Sequence, residues 1–126
     1  YLDGLVAVHD GEHVYRGLYQ GVEDKPTYPR AKHPIVRTHP ESGRKGLFVN
    51  RAFTTHIVGL PKDESDAILN YLYDHMEHPN FQVRFQWQPN SIAMWDNRSA
   101  QHRAIWDYWP HRRYGHRVTV MGDTPR

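Results

Sequence analysis

The 126-residue chain contains no cysteine, which excludes disulfide bonds and thiolate metal sites. It also has no run near the ~20 apolar residues that a membrane span requires, and no basic, then apolar leader follows Tyr1. Internal repeats, glycine-rich phosphate loops and serine nucleophile motifs are absent as well. The length suits one domain, residues 1–126, and we expect a soluble, cytoplasmic protein with no membrane partner.

The net charge is small overall, but positive charge is concentrated in one stretch. The formal net charge is +2 and the pI is about 9.0. Five arginines lie between Arg98 and Arg117, and only Asp107 opposes them. A local excess of arginine favours an anionic small molecule or a phosphate backbone as the partner.

Strand-like patterns dominate the part of the chain that can be interpreted. Alternating or β-branched stretches, separated by turn residues, predict these extended segments: 34–39, 47–50, 53–57, 81–87, 91–95, 101–105 and 116–121. The opening stretch, 1–8, reads as the end of a helix that runs into a strand. Gly11–Lys32 has no clear period, and we expect it to be a flexible loop at an active site.

One helix is predicted after Pro61. Acidic residues follow the proline, as is usual near the positive end of a helix dipole. Apolar residues then recur at helical spacing until Pro79. Many short strands with one helix indicate a mostly β protein, an antiparallel jelly-roll-like barrel or sandwich with a helical cover.

Three basic side chains are the candidates for chemistry. Arg113 and Arg117 are four positions apart, which places them on roughly the same face of a strand or a helix. A guanidinium pair on one face suits a carboxylate or sulfonate, although a solvated basic edge is the plain alternative. His102 cannot hold a metal tightly alone, because a two-histidine, one-carboxylate site needs a further histidine and an acid. No His-x-Asp motif occurs in the chain.

Several blocks of sequence carry a resemblance to a known family. They are Leu2–Leu5 with Ala7–Asp10, His33–Pro40, Leu47–Asn50 with Phe53–Thr55, Phe81–Phe85, Trp95–Arg98 with Gln101–His102, and Arg113, His116–Arg117 and Gly122–Asp123. In order and spacing they resemble the C-terminal half of the taurine dioxygenase-like (TauD/TfdA-type) Fe(II)- and 2-oxoglutarate-dependent dioxygenases.

The resemblance implies a fold, a cofactor set and residue roles. The fold would be a double-stranded β-helix, a cupin-like jelly roll, incomplete here at its N-terminus. His102 would be the distal iron ligand, and the His-x-Asp pair would lie upstream of this chain. Arg113 would bind 2-oxoglutarate, Arg117 the anionic substrate or the cosubstrate, and Phe53 the substrate. No residue is assigned to acid–base catalysis.

The implied reaction hydroxylates a small anionic substrate, of sulfonate or alkyl sulfate type, and releases succinate and CO2. Relatives commonly self-associate, so we expect a homo-oligomer. Two alternatives stay open. One is an inactive fragment of the fold that binds no iron. The other is a nucleic-acid-binding module, which the net charge of only +2 disfavours.

Overall fold

The computed structural model of the protein describes residues 1–18 and 28–126. These residues form five β-strands, two α-helices and one short 3-10 helix. In chain order they are β1 (Val6–Asp10), α1 (Glu12–Leu18), β2 (Arg30–Pro34), β3 (Val36–Thr38), β4 (Lys45–Leu47), β5 (Thr54–Ile57), α2 (Lys62–Met76) and the 3-10 helix Pro79–Phe81.

The strands form two antiparallel units. One is a three-stranded sheet with the order β2-β1-β5, and the other is the β3–β4 hairpin. In the first sheet Ala7 lies opposite His33 on one side and Ile57 on the other. In the hairpin Arg37 lies opposite Gly46. The predicted hairpin and β5 are therefore confirmed, but the first hairpin strand is shorter than predicted and the second begins earlier, sharing only Leu47 with the predicted 47–50.

Helix α2 covers the three-stranded sheet. Its buried residues Ser65, Leu69, Leu72 and Tyr73 recur at helical spacing. Leu69, Leu72 and Tyr73 pack in one core with Ala7, Ile35, Val49 and Ile57. The helix predicted after Pro61 is thus confirmed.

Two polar hydrogen bonds join α2 to β5 inside this core. The buried amide N–H of Ile57 donates to Ser65 Oγ at 2.8 Å, and both residues are 1% exposed. The Tyr73 hydroxyl donates to the Thr54 carbonyl at 3.1 Å. Buried backbone groups need such partners, so these two side chains fix the helix against the strand.

The first part of the chain differs from the prediction. Residues 1–5 are not helical but form a turn around Gly4, whose φ of +88° suits a residue without a Cβ. The predicted loop Gly11–Lys32 contains α1 and the start of β2 in its described parts. Helix α1 begins where Asp10 Oδ1 accepts the Glu12 N–H at 2.8 Å. Residues 19–27 lie outside the described part, and the role of this segment at an active site stays a prediction.

Residues 82–126 contain no strand or helix, so the four strands predicted after residue 81 are not formed. Val83, for example, is 93% exposed and Val118 is 95% exposed. A strand requires a hydrogen-bonding neighbour as well as an alternating sequence. Within the described residues no neighbouring strand pairs with these segments. The β-sheet with a packed helix is confirmed, and the complete jelly roll stays a prediction.

Of the helices in the described residues, none has the length and apolar character to cross a bilayer.

Candidate active site

A tight turn at residues 96–100 leads into His102. The amide N–H groups of Ser99 and Ala100 both donate to the Asp96 carbonyl, at 3.1 and 2.9 Å. The Asp96 side chain also accepts the backbone N–H of Arg98 at 2.9 Å, an arrangement that Asp favours in turns. The turn therefore forms from local hydrogen bonds around one aspartate.

A charged network attaches this turn to the β3–β4 hairpin. The Arg98 guanidinium binds both carboxylate oxygens of Asp96 and donates to Glu41 Oε1 at 2.9 Å. His39 Nε2 lies 3.1 Å from Asp96 Oδ2. Hydrogen bonds from Arg98, and then from His39, hold the pKa of Asp96 well below its usual range. Asp96 therefore stays negatively charged between two cationic or donor groups.

His102 lies two residues beyond this turn. Gln101 Nε2, immediately before it, donates to the carbonyl of the buried Val49 at 2.7 Å. The His102 ring is exposed and lies 4.7 Å from the Trp95 ring, centroid to centroid. The backbone at His102 is thus held from one side, and its imidazole remains accessible to a ligand.

Arg113 and Arg117 are exposed, and among the described residues neither has a hydrogen-bond or ion-pair partner. The neighbouring Arg112 instead lies over the Tyr114 ring, 5.3 Å from its centroid. No contact in the described part of the chain joins either arginine to His102. The two guanidinium groups are available to bind an anion, and their roles stay predictions.

The end of the chain returns to the same hairpin. Arg37 in β3 is 5% exposed, and its guanidinium binds Asp123 Oδ1 at 2.6 Å. The backbone N–H of Thr38 donates to the Arg126 carbonyl at 3.0 Å. The hydrogen bond from Arg37 lowers the pKa of Asp123. Arg37 also lies 5.3 Å from the Phe48 ring centroid, and its buried Nε has no partner among the described residues.

Arg37 was not among the predicted site residues. A signal was nevertheless present, because Arg37 is two positions from Ile35 and neighbouring positions on one face of a strand differ by two. Ile35 is fully buried, and an arginine buried beside it needs an anionic partner.

Phe53 is half-buried immediately before β5, close to one other aromatic ring. Its ring centroid lies 6.0 Å from that of Tyr15. On the adjacent strand, His9 stacks on Phe48 at 5.8 Å and meets the His33 ring edge-on at 5.0 Å. Burial, and then the charge of His33, lower the pKa of His9 to about 4. His9 is therefore uncharged at neutral pH. Among the described residues its ring contacts are with Phe48 and His33, and the role of Phe53 at a substrate pocket stays a prediction.

An iron site of the two-histidine, one-carboxylate type needs three donors in one place. In the ranges 1–18 and 28–126, no three His, Asp or Glu side chains are grouped so that they could hold a metal ion. An accessible imidazole such as that of His102 is a suitable single donor. The described residues thus fit one ligand position of an iron site and not the whole site.

Comparisons with known proteins identify the family. The profile of the "Taurine catabolism dioxygenase TauD, TfdA family" matches residues 1–119. The chain therefore belongs to the TauD/TfdA family of dioxygenases, as its sequence blocks indicated.

Individual relatives agree with this membership. A Schizosaccharomyces pombe protein, provisionally named as an alpha-ketoglutarate-dependent sulfonate dioxygenase, is 41% identical over 99% of this chain and 32% of its own length. The alkylsulfatase of Acinetobacter baylyi is 35% identical over 98% of this chain and 42% of its own length. The chain thus spans about a third of the first of these curated relatives and about two fifths of the second.

A solved structure supports the fold. A protein from Burkholderia xenovorans, provisionally assigned as an alpha-ketoglutarate-dependent taurine dioxygenase, superimposes with a TM-score of 0.56 and 36% identity. The match covers 69% of this chain and 27% of that chain.

Proposed function

We propose that this chain is the C-terminal part of an Fe(II)- and 2-oxoglutarate-dependent dioxygenase that hydroxylates a small sulfonate or alkyl sulfate and releases succinate and CO2. The observation that carries the proposal is the family match over residues 1–119. The relatives named as sulfonate dioxygenase and alkylsulfatase support a sulfur oxyanion as the substrate group. A cytoplasmic location and self-association stay predictions.

The complete fold in this proposal is a double-stranded β-helix. The alternating segments 81–87 and 116–121 would become strands when further polypeptide supplies their hydrogen-bonding neighbours. Their exposed apolar side chains support this, because isolated extended segments with a large apolar surface are unusual in a folded protein. The chain's share of its relatives' length, 32% and 42%, leaves room for that polypeptide.

His102 would provide one iron ligand, and a His-x-Asp pair outside this chain would provide the others. When bound, the iron supplies the activation of oxygen. The contribution of this chain is to hold the imidazole at the end of the turn at residues 96–100, with its ring exposed beside Trp95. The residues that place His102 are therefore as important to the site as the ligand itself.

Arg113 would bind the distal carboxylate of 2-oxoglutarate, and Arg117 the anionic group of the substrate or the cosubstrate. Both guanidinium groups lack a protein partner among the described residues. A planar guanidinium binds carboxylate and sulfonate oxygens through two parallel hydrogen bonds. Phe53 would contact the apolar part of the substrate, since it is only half-buried and its ring lies beside that of Tyr15.

The test is a binding titration with the complete enzyme under anaerobic conditions. We expect Arg113→Ala to weaken 2-oxoglutarate binding by about 10- to 100-fold, because a charge-assisted pair contributes roughly 1.5–3 kcal/mol. Arg112→Ala is the matched control and should bind as the wild type does, since Arg112 lies over Tyr114. Equal affinities for 2-oxoglutarate in both variants would contradict the assignment of Arg113.

The metal assignment is tested separately. His102→Ala should lose Fe(II) binding, whereas His111→Ala, another exposed histidine, should retain it. The sequence upstream of Tyr1 should contain a His-x-Asp motif. If the complete polypeptide has no such motif and binds no iron, the inactive-fragment alternative is correct.

A further inference from the structure

We propose that the β3–β4 hairpin positions the iron ligand and the arginine pair through two separate polar anchors. The upstream anchor consists of His39, Glu41, Asp96 and Arg98. The downstream anchor is the Arg37–Asp123 ion pair. This inference rests on the proposed function, because it assigns positioning residues to His102, Arg113 and Arg117.

The upstream anchor has a defined arrangement of protons. The backbone N–H groups of Glu41 and Ser42 donate to His39 Nδ1, at 3.3 and 3.2 Å. Because Nδ1 is an acceptor, the ring proton of the neutral imidazole is on Nε2, which donates to Asp96 Oδ2 at 3.1 Å. Asp96 thus receives one donor from the hairpin and several from Arg98.

Arg98 extends the upstream anchor to a second point on the hairpin. Its guanidinium bridges Asp96 and Glu41, and its side chain is 27% exposed. A bidentate arginine–carboxylate contact fixes direction as well as distance. The turn at residues 96–100 is therefore attached to the hairpin in a defined orientation, two residues before His102.

The downstream anchor is more deeply buried. The Arg37 side chain is 5% exposed and that of Asp123 is 33% exposed, with 2.6 Å between their closest atoms. The hydrogen bond from Thr38 N–H to the Arg126 carbonyl continues this attachment along the backbone. The anchor begins six residues after Arg117, so it restrains the stretch that carries both arginines.

Residues 102–122, between the two anchors, contain no strand or helix in this structure. Their position relative to the sheet depends on the attachments at each end. The two anchors are next to each other on β3 and the residues after it, since Arg37 and His39 are two positions apart. The hairpin therefore holds both ends of the stretch that carries the metal ligand and the two arginines, and the Gln101–Val49 hydrogen bond adds a further attachment beside His102.

The two anchors predict that, in the complete enzyme, a variant of each anchor weakens the binding of a different ligand. Asp96→Asn should weaken Fe(II) binding about tenfold, a typical effect of losing a group that orients a metal ligand, with little change in 2-oxoglutarate affinity. Asp123→Asn should weaken 2-oxoglutarate binding several-fold and leave Fe(II) affinity near that of the wild type. Fe(II) is measured by anaerobic competition with a chelating dye, and 2-oxoglutarate by calorimetry.

Conservative variants and a control separate positioning from general stability. His39→Gln keeps an N–H donor that can reach Asp96, so it should bind Fe(II) better than His39→Ala does. Lys45→Gln removes another ion pair of the same hairpin, the one with Asp3, and should change neither affinity. Thermal unfolding of each apoprotein is recorded to detect variants that do not fold.

Each outcome decides between the possibilities. If His102→Ala loses Fe(II) but Asp96→Asn and His39→Ala bind it normally, the anchor hypothesis is wrong while the proposed function stands. If His102→Ala retains Fe(II), the proposed function itself is wrong. If both affinities and the unfolding temperature fall together in both asparagine variants, the anchors are merely structural and the inference is overturned.

Discussion

The hydrogen bond between Ser65 and Ile57 predicts an unusually large effect for the loss of a single oxygen atom. Ser65 Oγ in α2 accepts the amide N–H of Ile57 in β5 at 2.8 Å, and both residues are 1% exposed. In Ser65→Ala the amide N–H would have neither its protein partner nor access to bulk water. The variant therefore isolates the cost of an unsatisfied buried donor.

The expected loss in the free energy of unfolding is about 1–2 kcal/mol. A buried polar group without a partner costs roughly 1–3 kcal/mol, and alanine recovers about 0.5 kcal/mol because it favours a helix more than serine does. Ser91→Ala is the matched control. Ser91 Oγ also accepts a backbone N–H, from Gln88 at 3.0 Å, but that bond is exposed. Water replaces it there, so the change should be within about 0.5 kcal/mol.

Equilibrium urea denaturation measures both variants, and an unchanged m-value would show that the unfolded states are comparable. Amide hydrogen exchange provides a local check, because the Ile57 N–H should exchange faster in Ser65→Ala than in the wild type. A loss for Ser65→Ala no larger than that for Ser91→Ala would refute the argument from burial.

Three further predictions concern pH, the core and the substrate. The pKa of His9 is about 4 when folded and about 6.5 when unfolded, so its contribution to stability is complete above pH 6.5 and is lost as the pH falls towards 4. His9→Gln should reduce the change in unfolding free energy between pH 6.5 and pH 4 by about 1–2 kcal/mol. This is less than the full pKa shift implies, because water screens a half-exposed ring. His56→Gln, at an exposed position, should not reduce it. Leu72→Ala should destabilise the protein by about 3 kcal/mol. Its neighbour Tyr71 is 69% exposed, so Tyr71→Ala should cost less than about 1 kcal/mol. Similar losses in both variants would contradict the assignment of Leu72 to the core. Arg117→Ala should raise the KM for an alkyl sulfate more than tenfold, and an unchanged KM would exclude that role.

The sequence was informative wherever structure depends on neighbours along the chain. Helix α2 carries its own apolar period, and the turn residues between β3 and β4 specify a hairpin. Helix α1 was missed because it is short and polar, and its ends depend on Asp10 and on an ion pair between Glu12 and Arg16 at 2.7 Å. An amphipathic period cannot reveal such a helix.

The segments after residue 81 show what a local sequence pattern could not predict. Alternation in 81–87 describes which side chains could share a face, but it does not provide a strand to pair with. The residues of the candidate site were predicted from the family's spacing, whereas the contacts that hold the turn were not predicted. Arg37 and Asp123 are 86 positions apart, and His39 and Asp96 are 57 apart, so no local pattern could connect them.

The short separation between β5 and α2 has a consequence for the order of folding. Their buried links join residues only 8 and 19 positions apart, so closing these loops costs little chain entropy. Contacts of this kind form early, whereas pairs separated by many residues form late. We therefore expect the strand and helix to nucleate first and the Arg37–Asp123 contact to condense onto them, with φ-values near zero for the ion pair.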